Sequence, residues 1–584
     1  MSWSTPGALV GYVALAVVMT WPLCAHIGTQ LPYDLGDPLL NCWILAWQIR
    51  QFTRLLQGDA GVLGEWWHGN IFSPAPYTLG LSEALVVPAL MGWPVLALTG
   101  NVLLMYNLLF LGSMALSGLF MYLFVRELTD HPAAAWIAGL LFAFAPFRFY
   151  HGSHLQVQFA CWMPLLLLQL ERLARHGRSR HAVGAGLALG ALNLSNGYYM
   201  FFFAPWAAAY GLFSLWRHGV LRAADRWRGL VVTAVIGTAL TLPAMKPYLA
   251  LRGRGGTSRT LEWVEQYSAT VSSWVTATPW LRLWSWLAGS ARPESYLFPG
   301  GMPIALVVAA IAMWRTAHVD RRLLAFALAS AIAGVWWSFG PTVRLAGSVV
   351  PSLYLPFFRF VPGFDTLRAP SRVAIIVALW TAVIGGLVVA AAWRRRWGSS
   401  PARPGQALAT ALLSTIVLVD ATVVPMPMNE VLHAPHYRQQ SPEIAPDPTV
   451  TPVARMLARL PAEAILVELP FGALPLEIRY MYTSIGHWRR LVNGYSGGFP
   501  PDYVRWKRAF EGLPDGGDEA EVALRECGAT HVVLHGEAFG EYRMGKLEGW
   551  LRGLGARPVG RADDTVVYKL PVSGQVSGMA PPGV

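Results

Sequence analysis

The chain has 584 residues, 54% of them hydrophobic and only 13% charged, with a formal net charge of +12 and a mean hydropathy of +0.40. Soluble domains carry about 25% charged residues, so this composition excludes an ordinary soluble enzyme and reads as an α-helical polytopic membrane protein. The positive charge does not indicate nucleic acid, because the arginines cluster at the ends of apolar runs, where they report topology.

Apolar runs fall at about 8–26, 102–125, 133–149, 157–171, 181–199, 200–216, 229–250, 301–314, 323–339, 372–393 and 405–424, which predicts about eleven spans. The first run lacks the basic flank and small-residue site of a cleaved signal, so it is expected to be retained. The run 82–99 carries two prolines and Gly92 and suits a re-entrant or interfacial segment. Arginine groups follow at Arg126, Arg172–Arg180, Arg217–Arg228, Arg315–Arg322 and Arg394–Arg403. If these are cytoplasmic, the amino terminus is inside and everything after residue 424 is outside. The expected organisation is a membrane domain over 1–424 with a first external loop at about 27–101. A small extracytoplasmic α/β domain over 425–572 and a disordered tail over 573–584 follow. In that domain 464–470, 531–536 and 565–570 read as strands and 518–527 as an amphipathic helix. The four cysteines show neither a CxxC pair nor a disulfide framework. No Walker A, GxSxG or dinucleotide-binding fingerprint is present, which removes nucleotide-driven transport by this chain alone.

With this orientation several polar clusters fall on the external side. The first is "LPYDLGDPLLNCWILAWQ", with Asp34 and Asp37 three apart in a Gly-Pro turn. Asp-Pro turns are common, but an aromatic amphipathic stretch follows, which can lie along the interface with Trp43 and Trp47 at headgroup depth. A carboxylate there can deprotonate an acceptor hydroxyl or bind a divalent cation such as Mg or Mn. The second, "RFYHGSHLQ", offers Arg148, His151, His154 and Gln156. No third ligand makes the histidines a zinc site; they read as a polar cap or as hydrogen-bonding groups for a sugar or phosphate. Glu83 opens an apolar run and reads as a helix-dipole partner or a site acid. Tyr198 and Tyr199 read chiefly as interfacial anchors. Arg368 and Arg372 flank Pro370 at the mouth of a span; they either snorkel or bind a lipid-borne phosphate. The aromatic stretch 484–506 suits stacking on sugars or, preferably, docking of the external domain on the membrane domain.

A first span leading into an acidic external loop, "YDLGDP", then interfacial segments, many spans and a closing external domain resembles the GT-C superfamily of polytopic glycosyltransferases. "FAFAPFRFYHGSHLQVQFACWMPL" and "HWRRLVNGYSGGFPPDY" are also similar to bacterial membrane proteins of the YfhO type, linked to cell-envelope glycosylation. The resemblance implies a polyprenyl-phosphate sugar donor, an extracytoplasmic glycan, lipid or protein acceptor, a bacterial inner-membrane location, and inversion at the anomeric carbon. It implies Asp34 or Asp37 as the base; "DLGD" departs from the adjacent acidic pair of several GT-C families, so the choice between them and the need for a metal stay open. Two other classes remain: a transporter or flippase for a lipid-linked envelope precursor, and a non-catalytic envelope assembly protein that would tolerate loss of both aspartates. Few charges lie mid-span, which disfavours the transporter.

Overall fold

A computed structural model describes residues 4–252, 258–290, 292–315, 319–345, 348–398, 404–435 and 437–571. The expected tail over 573–584 lies outside the described residues. Every one of the eleven apolar runs is mostly helical. Among the described residues, however, only four helices are long and apolar enough to cross a membrane: Val102–Thr129, Pro132–Tyr150, Ala224–Arg252 and Pro370–Trp397. The expected count of about eleven spans is not established by the described helices, of which four reach spanning length. Thr5–Met19, Val86–Thr99, Gly301–Ala312 and Pro404–Asp420 are apolar but run 12 to 17 residues. At 1.5 Å per residue these are about 18–26 Å long, short of a hydrocarbon core of about 30 Å. The run 82–99 is one such helix, continuous through Pro94, packed on Val102–Thr129 and on the helix Asp37–Leu56.

The helices sort by what covers them. Val102–Thr129, Pro132–Tyr150 and Pro370–Trp397 are buried on most sides and form the centre of the bundle. Small residues let neighbours approach there: a Cβ on Gly118 would meet the Tyr12 ring at 2.5 Å, and one on Gly386 would meet Val125 at 2.5 Å. By contrast, Ala224–Arg252 turns Val231, Val235, Leu242 and Leu249 outward, and Pro404–Asp420 does the same with Leu408, Leu412 and Ile416. Such apolar rows are costly in water and match lipid.

Polar side chains weld helix ends. Asp420 accepts from the amides of Gly301 and Met302 and from Trp284 Nε1, all at 2.9 Å. It thereby caps the helix Gly301–Ala312, whose own N-cap is a glycine. Asp420→Ala is expected to lower stability by about 1–2 kcal/mol, read as a lower melting temperature of the protein in detergent.

The C-terminal unit is built on a five-stranded sheet of β1 (Ile465–Leu469), β2 (Arg490–Leu491), β3 (His531–His535), β4 (Arg557–Ala562) and β5 (Thr565–Lys569). The strand order is β2-β1-β3-β5-β4; β1 is parallel to β2 and β3, and β5 is antiparallel to its two neighbours. Helices Leu474–Ser484, Pro501–Glu511, Gly517–Glu526 and Glu541–Gly553 accompany it.

Two backbone seams join this unit to the first loop. The segment 427–430 pairs with 31–35, through Tyr33 N to Pro427 O at 2.8 Å and Leu35 N to Glu430 O at 3.0 Å. Residues 70–73 pair with 489–493, through Leu491 N to Asn70 O at 2.7 Å, Ser73 N to Leu491 O at 2.8 Å and Phe72 N to Asn493 O at 3.0 Å. The aromatic stretch 484–506 is therefore a docking segment.

The helix Asp37–Leu56 lies beneath these seams and corrects the interfacial reading of its tryptophans. Trp43 and Trp47 are buried. Trp43 Nε1 donates to Asn70 Oδ1 at 3.1 Å and Trp47 Nε1 to the Trp66 carbonyl at 2.9 Å. Each indole N–H is satisfied by protein, so neither ring needs the headgroup region.

Candidate active site

The first loop, the segment after Pro146–Tyr150, the loops around 294 and 368, and the docking segment converge on Asp37. Asp37 occupies the first turn of its helix, followed by Pro38, where free amides and the helix dipole favour negative charge. His154 Nε2 lies 3.1 Å from Asp37 Oδ2. The Tyr495 hydroxyl, from the docking segment, donates to Asp37 Oδ1 at 2.9 Å. Side-chain exposure of about a quarter, 24% for Asp37 and 21% for His154, leaves the carboxylate reachable. Burial alone would raise the Asp37 pKa. The His154 hydrogen bond and charge, the Tyr495 hydroxyl and the Arg372 charge outweigh it and hold the carboxyl below its ordinary value.

Asp34 is used differently. Its Oδ1 accepts from the Gly36 amide at 2.8 Å, closing an Asx turn, and its Oδ2 takes the Ser153 hydroxyl. The sequence pairs the two aspartates; the structure gives one to the turn and leaves the other facing the site. Each carboxylate already holds protein donors, and among the described residues no three His, Cys, Asp or Glu side chains converge to hold a metal ion. The donor set does not fit a divalent cation.

Arg372 is held bidentately by Glu294, at 2.6 and 2.8 Å, and lies over the Tyr198 ring at 4.5 Å. Both ions are nearly inaccessible, and the Arg372 charge drives Glu294 far below its ordinary carboxylate pKa despite burial, which acts to raise it. Arg372 acts on Asp37 through its charge, while two of its donors bind Glu294. Arg368 is the freer cation. It is half-buried, its guanidinium stacks on Tyr267 at 5.0 Å, and its backbone amide is held by the Tyr198 hydroxyl at 3.2 Å. Its guanidinium makes no hydrogen bond or ion pair among the described residues. Arg259 is its neighbour, stacked on Trp263 at 5.0 Å; burial and then the Arg368 charge pull its pKa down.

The remaining expected site residues are placed as follows. His151 is buried, 1% exposed, edge-on to His154 with ring centroids 5.4 Å apart. Burial and the Arg372 and His154 charges, only partly countered by Glu294, keep it neutral, with its pKa well below the ordinary value. Gln156 supports the site from behind: its Oε1 takes Asn41 Nδ2 at 3.3 Å and its carbonyl takes Asn196 Nδ2 at 2.9 Å. Glu83 accepts the Gly197 amide at 2.6 Å and so caps the helix Gly197–Arg217 rather than the run it opens; burial raises its pKa against that bond and the Arg372 charge. Arg148 is fully enclosed, giving its donors to Ser117 Oγ at 2.6 Å and the Gln158 carbonyl at 2.8 Å. It has no surface from which to meet a ligand. Sequence reasoning missed Glu294, a lone acid in a loop between two apolar helices, and Arg259; it also left Tyr198 as an anchor and Tyr495 within a stretch read for sugar stacking or, preferably, docking. No spacing pattern marks any of the four.

This is a helical bundle with lipid-matching faces, in which a partly open carboxylate holds an imidazole and a phenol and feels the charge of a buried arginine. The chain belongs to the DUF6311 family, described as a domain of unknown function, whose model matches residues 69–420. No curated protein matches the chain. Similar solved structures include arabinofuranosyltransferase AftD from Mycobacteria, at 14% identity and TM-score 0.48, over 97% of this chain. This chain spans 41% of the length of AftD. Another is ArnT from Cupriavidus metallidurans. Its apo form matches at 15% identity and TM-score 0.46, over 96% of this chain and 98% of that one. Its undecaprenyl-phosphate complex matches at 13% and 0.44, over 98% and 99%.

Proposed function

We propose that the protein is a membrane glycosyltransferase of the GT-C type, working at the outer face of a bacterial inner membrane with its C-terminal unit extracytoplasmic. It transfers a sugar from a polyprenyl-phosphate donor to an envelope glycan, lipid or protein acceptor. The kinship with YfhO-type envelope proteins is part of the same proposal. The observation that carries it is Asp37: a reachable carboxylate, kept ionised by His154, Tyr495 and the Arg372 charge, whose partner Tyr495 also feels the charge of Arg368.

In this reading Asp37 takes the proton of the acceptor hydroxyl as its oxygen attacks the anomeric carbon. The bond from that carbon to the phosphate oxygen breaks, and the electron pair leaves with the polyprenyl phosphate. The leaving phosphate gains negative charge, and Arg368 with Arg259 supplies fixed positive charge where it develops. Asp34 acts by shaping the turn that presents Asp37.

The test uses purified protein in nanodiscs with a panel of radiolabelled polyprenyl-phosphate sugars. Transfer or sugar release by the wild type that is lost in Asp37→Asn supports the reading. Absence of turnover with every donor, or equal turnover in both proteins, overturns it. Arg368→Gln is expected to raise the KM for the donor about 10–100-fold, the worth of a charge-assisted hydrogen bond, with a folded protein by gel filtration.

A further inference from the structure

The docking segment does more than join two units. The loop that carries Tyr495 to Asp37 is fastened from inside the C-terminal unit. Glu477, on the helix Leu474–Ser484, is buried. Its Oε2 accepts the Gly494 amide at 2.6 Å, and its Oε1 accepts Asn493 Nδ2 at 3.0 Å and the Gly472 amide at 2.6 Å. Asn493, also buried, is sewn to β1 through Glu468 N to its Oδ1 at 2.7 Å and its Nδ2 to Glu468 O at 2.9 Å. On the other side the loop meets the first loop so closely that a Cβ on Gly494 would lie 2.7 Å from the Phe72 ring. A buried carboxylate is costly unless its hydrogen bonds are made. Here all of them serve to hold residues 472 and 493–494 immediately before Tyr495.

We propose that Tyr495 is a positioning residue of the site, supplied by the C-terminal unit, and that Glu477 acts through it by holding the loop in place. The membrane bundle then carries Asp37, and the C-terminal unit completes its surroundings. This rests on Asp37 being the working carboxylate. The other titratable or charged groups around Asp37 are Asp34 before it, His151 and His154 from the segment after Tyr150, Tyr106 from the helix Val102–Thr129, and Arg372 with its partner Glu294. Of these, His154 and Tyr495 hydrogen-bond to it directly.

The experiment follows the Asp37 carboxyl stretch by infrared pH titration of the full chain in nanodiscs, isolated as the difference from Asp37→Asn. Tyr495→Phe removes one hydroxyl and is expected to raise the midpoint by about one pH unit, the loss of one hydrogen bond to a charged group. Glu477→Gln sets an amide N–H against the loop's donors and is expected to shift the midpoint the same way with Tyr495 still present. A midpoint unmoved in Tyr495→Phe overturns the proposal, and one unmoved in Glu477→Gln overturns the part given to Glu477. Where the wild type transfers sugar, the acid limb of kcat/KM moves with the midpoint. A midpoint that moves in a protein inert towards every donor leaves the positioning role standing and removes the glycosyltransferase reading.

Discussion

Asp37→Asn is expected to lower kcat by about 10²–10⁴-fold, the usual worth of a positioned base, with little change in donor KM. The amide keeps the size of the side chain and its oxygen can still accept from Tyr495, so the loop stays docked; only the basicity is lost. Asp34→Asn separates the roles. The amide oxygen can still take the Gly36 N–H, and the amide nitrogen can donate to the Ser153 hydroxyl once that hydroxyl rotates. Activity close to wild type is therefore expected in Asp34→Asn, measured in the same nanodisc assay. Equal losses in both variants would mean that the Asx turn, rather than the Asp37 charge, is what the chemistry needs. The pH dependence has a definite sign. A carboxyl held below its ordinary value by His154, Tyr495 and Arg372 stays ionised through the usual carboxylate range, so activity falls only at pH below that range. The same charge network contributes stability above the ordinary carboxylate pKa, and that contribution is lost as pH falls through the depressed value.

Glu294→Ala is the second large effect, and it is one of stability. The Arg372–Glu294 pair is bidentate and nearly sealed from solvent. Removing the carboxylate leaves a buried guanidinium without its ion-pair partner, over the Tyr198 ring and with only the more distant charges of Glu83 and Asp37 among the described residues. Breaking such a pair from one side costs about 3–5 kcal/mol, so a marked fall in melting temperature in detergent is expected. Replacing both partners by apolar side chains, in Glu294→Leu with Arg372→Met, is expected to recover most of that loss. It should not restore full activity, because Asp37 would lose the Arg372 charge that helps to keep it ionised. A double variant as unstable as Glu294→Ala would show that packing around residue 294, rather than the unpaired charge, sets the cost.

Much of this was legible in the chain. Most of each apolar run is helical, because a long stretch with few charges buries its backbone bonds in no other way among apolar surroundings, although 157–171 and 181–199 each break between two helices. The strands expected at 464–470, 531–536 and 565–570 are β1, β3 and β5. The two strands of this sheet that were missed lack the signal: Arg490–Leu491 is two residues long, and Arg557–Ala562 carries Pro558, Gly560 and two arginines, a composition that reads as loop; the hairpin Thr342–Leu345 with Ser348–Pro351 was missed as well. Of the residues singled out for the site, Asp37, His154 and Arg368 face it, whereas Arg372, His151, Gln156 and Glu83 stand behind or beside it, and Arg148 is sealed away.

The sequence by itself determined the class of the protein, since hydropathy and arginine placement are properties of composition that lipid and water read directly. It also marked the first loop, because two acids in a Gly-Pro turn beside an apolar run stand out without any fold. Which aspartate is free was decided only by tertiary structure. That choice depends on Ser153 reaching Asp34, and on Tyr495 reaching Asp37 from a loop 458 residues away. It depends equally on Glu294 pairing bidentately with Arg372. A side chain's chemistry is set by who neutralises it, and partners that distant leave no periodicity in the chain.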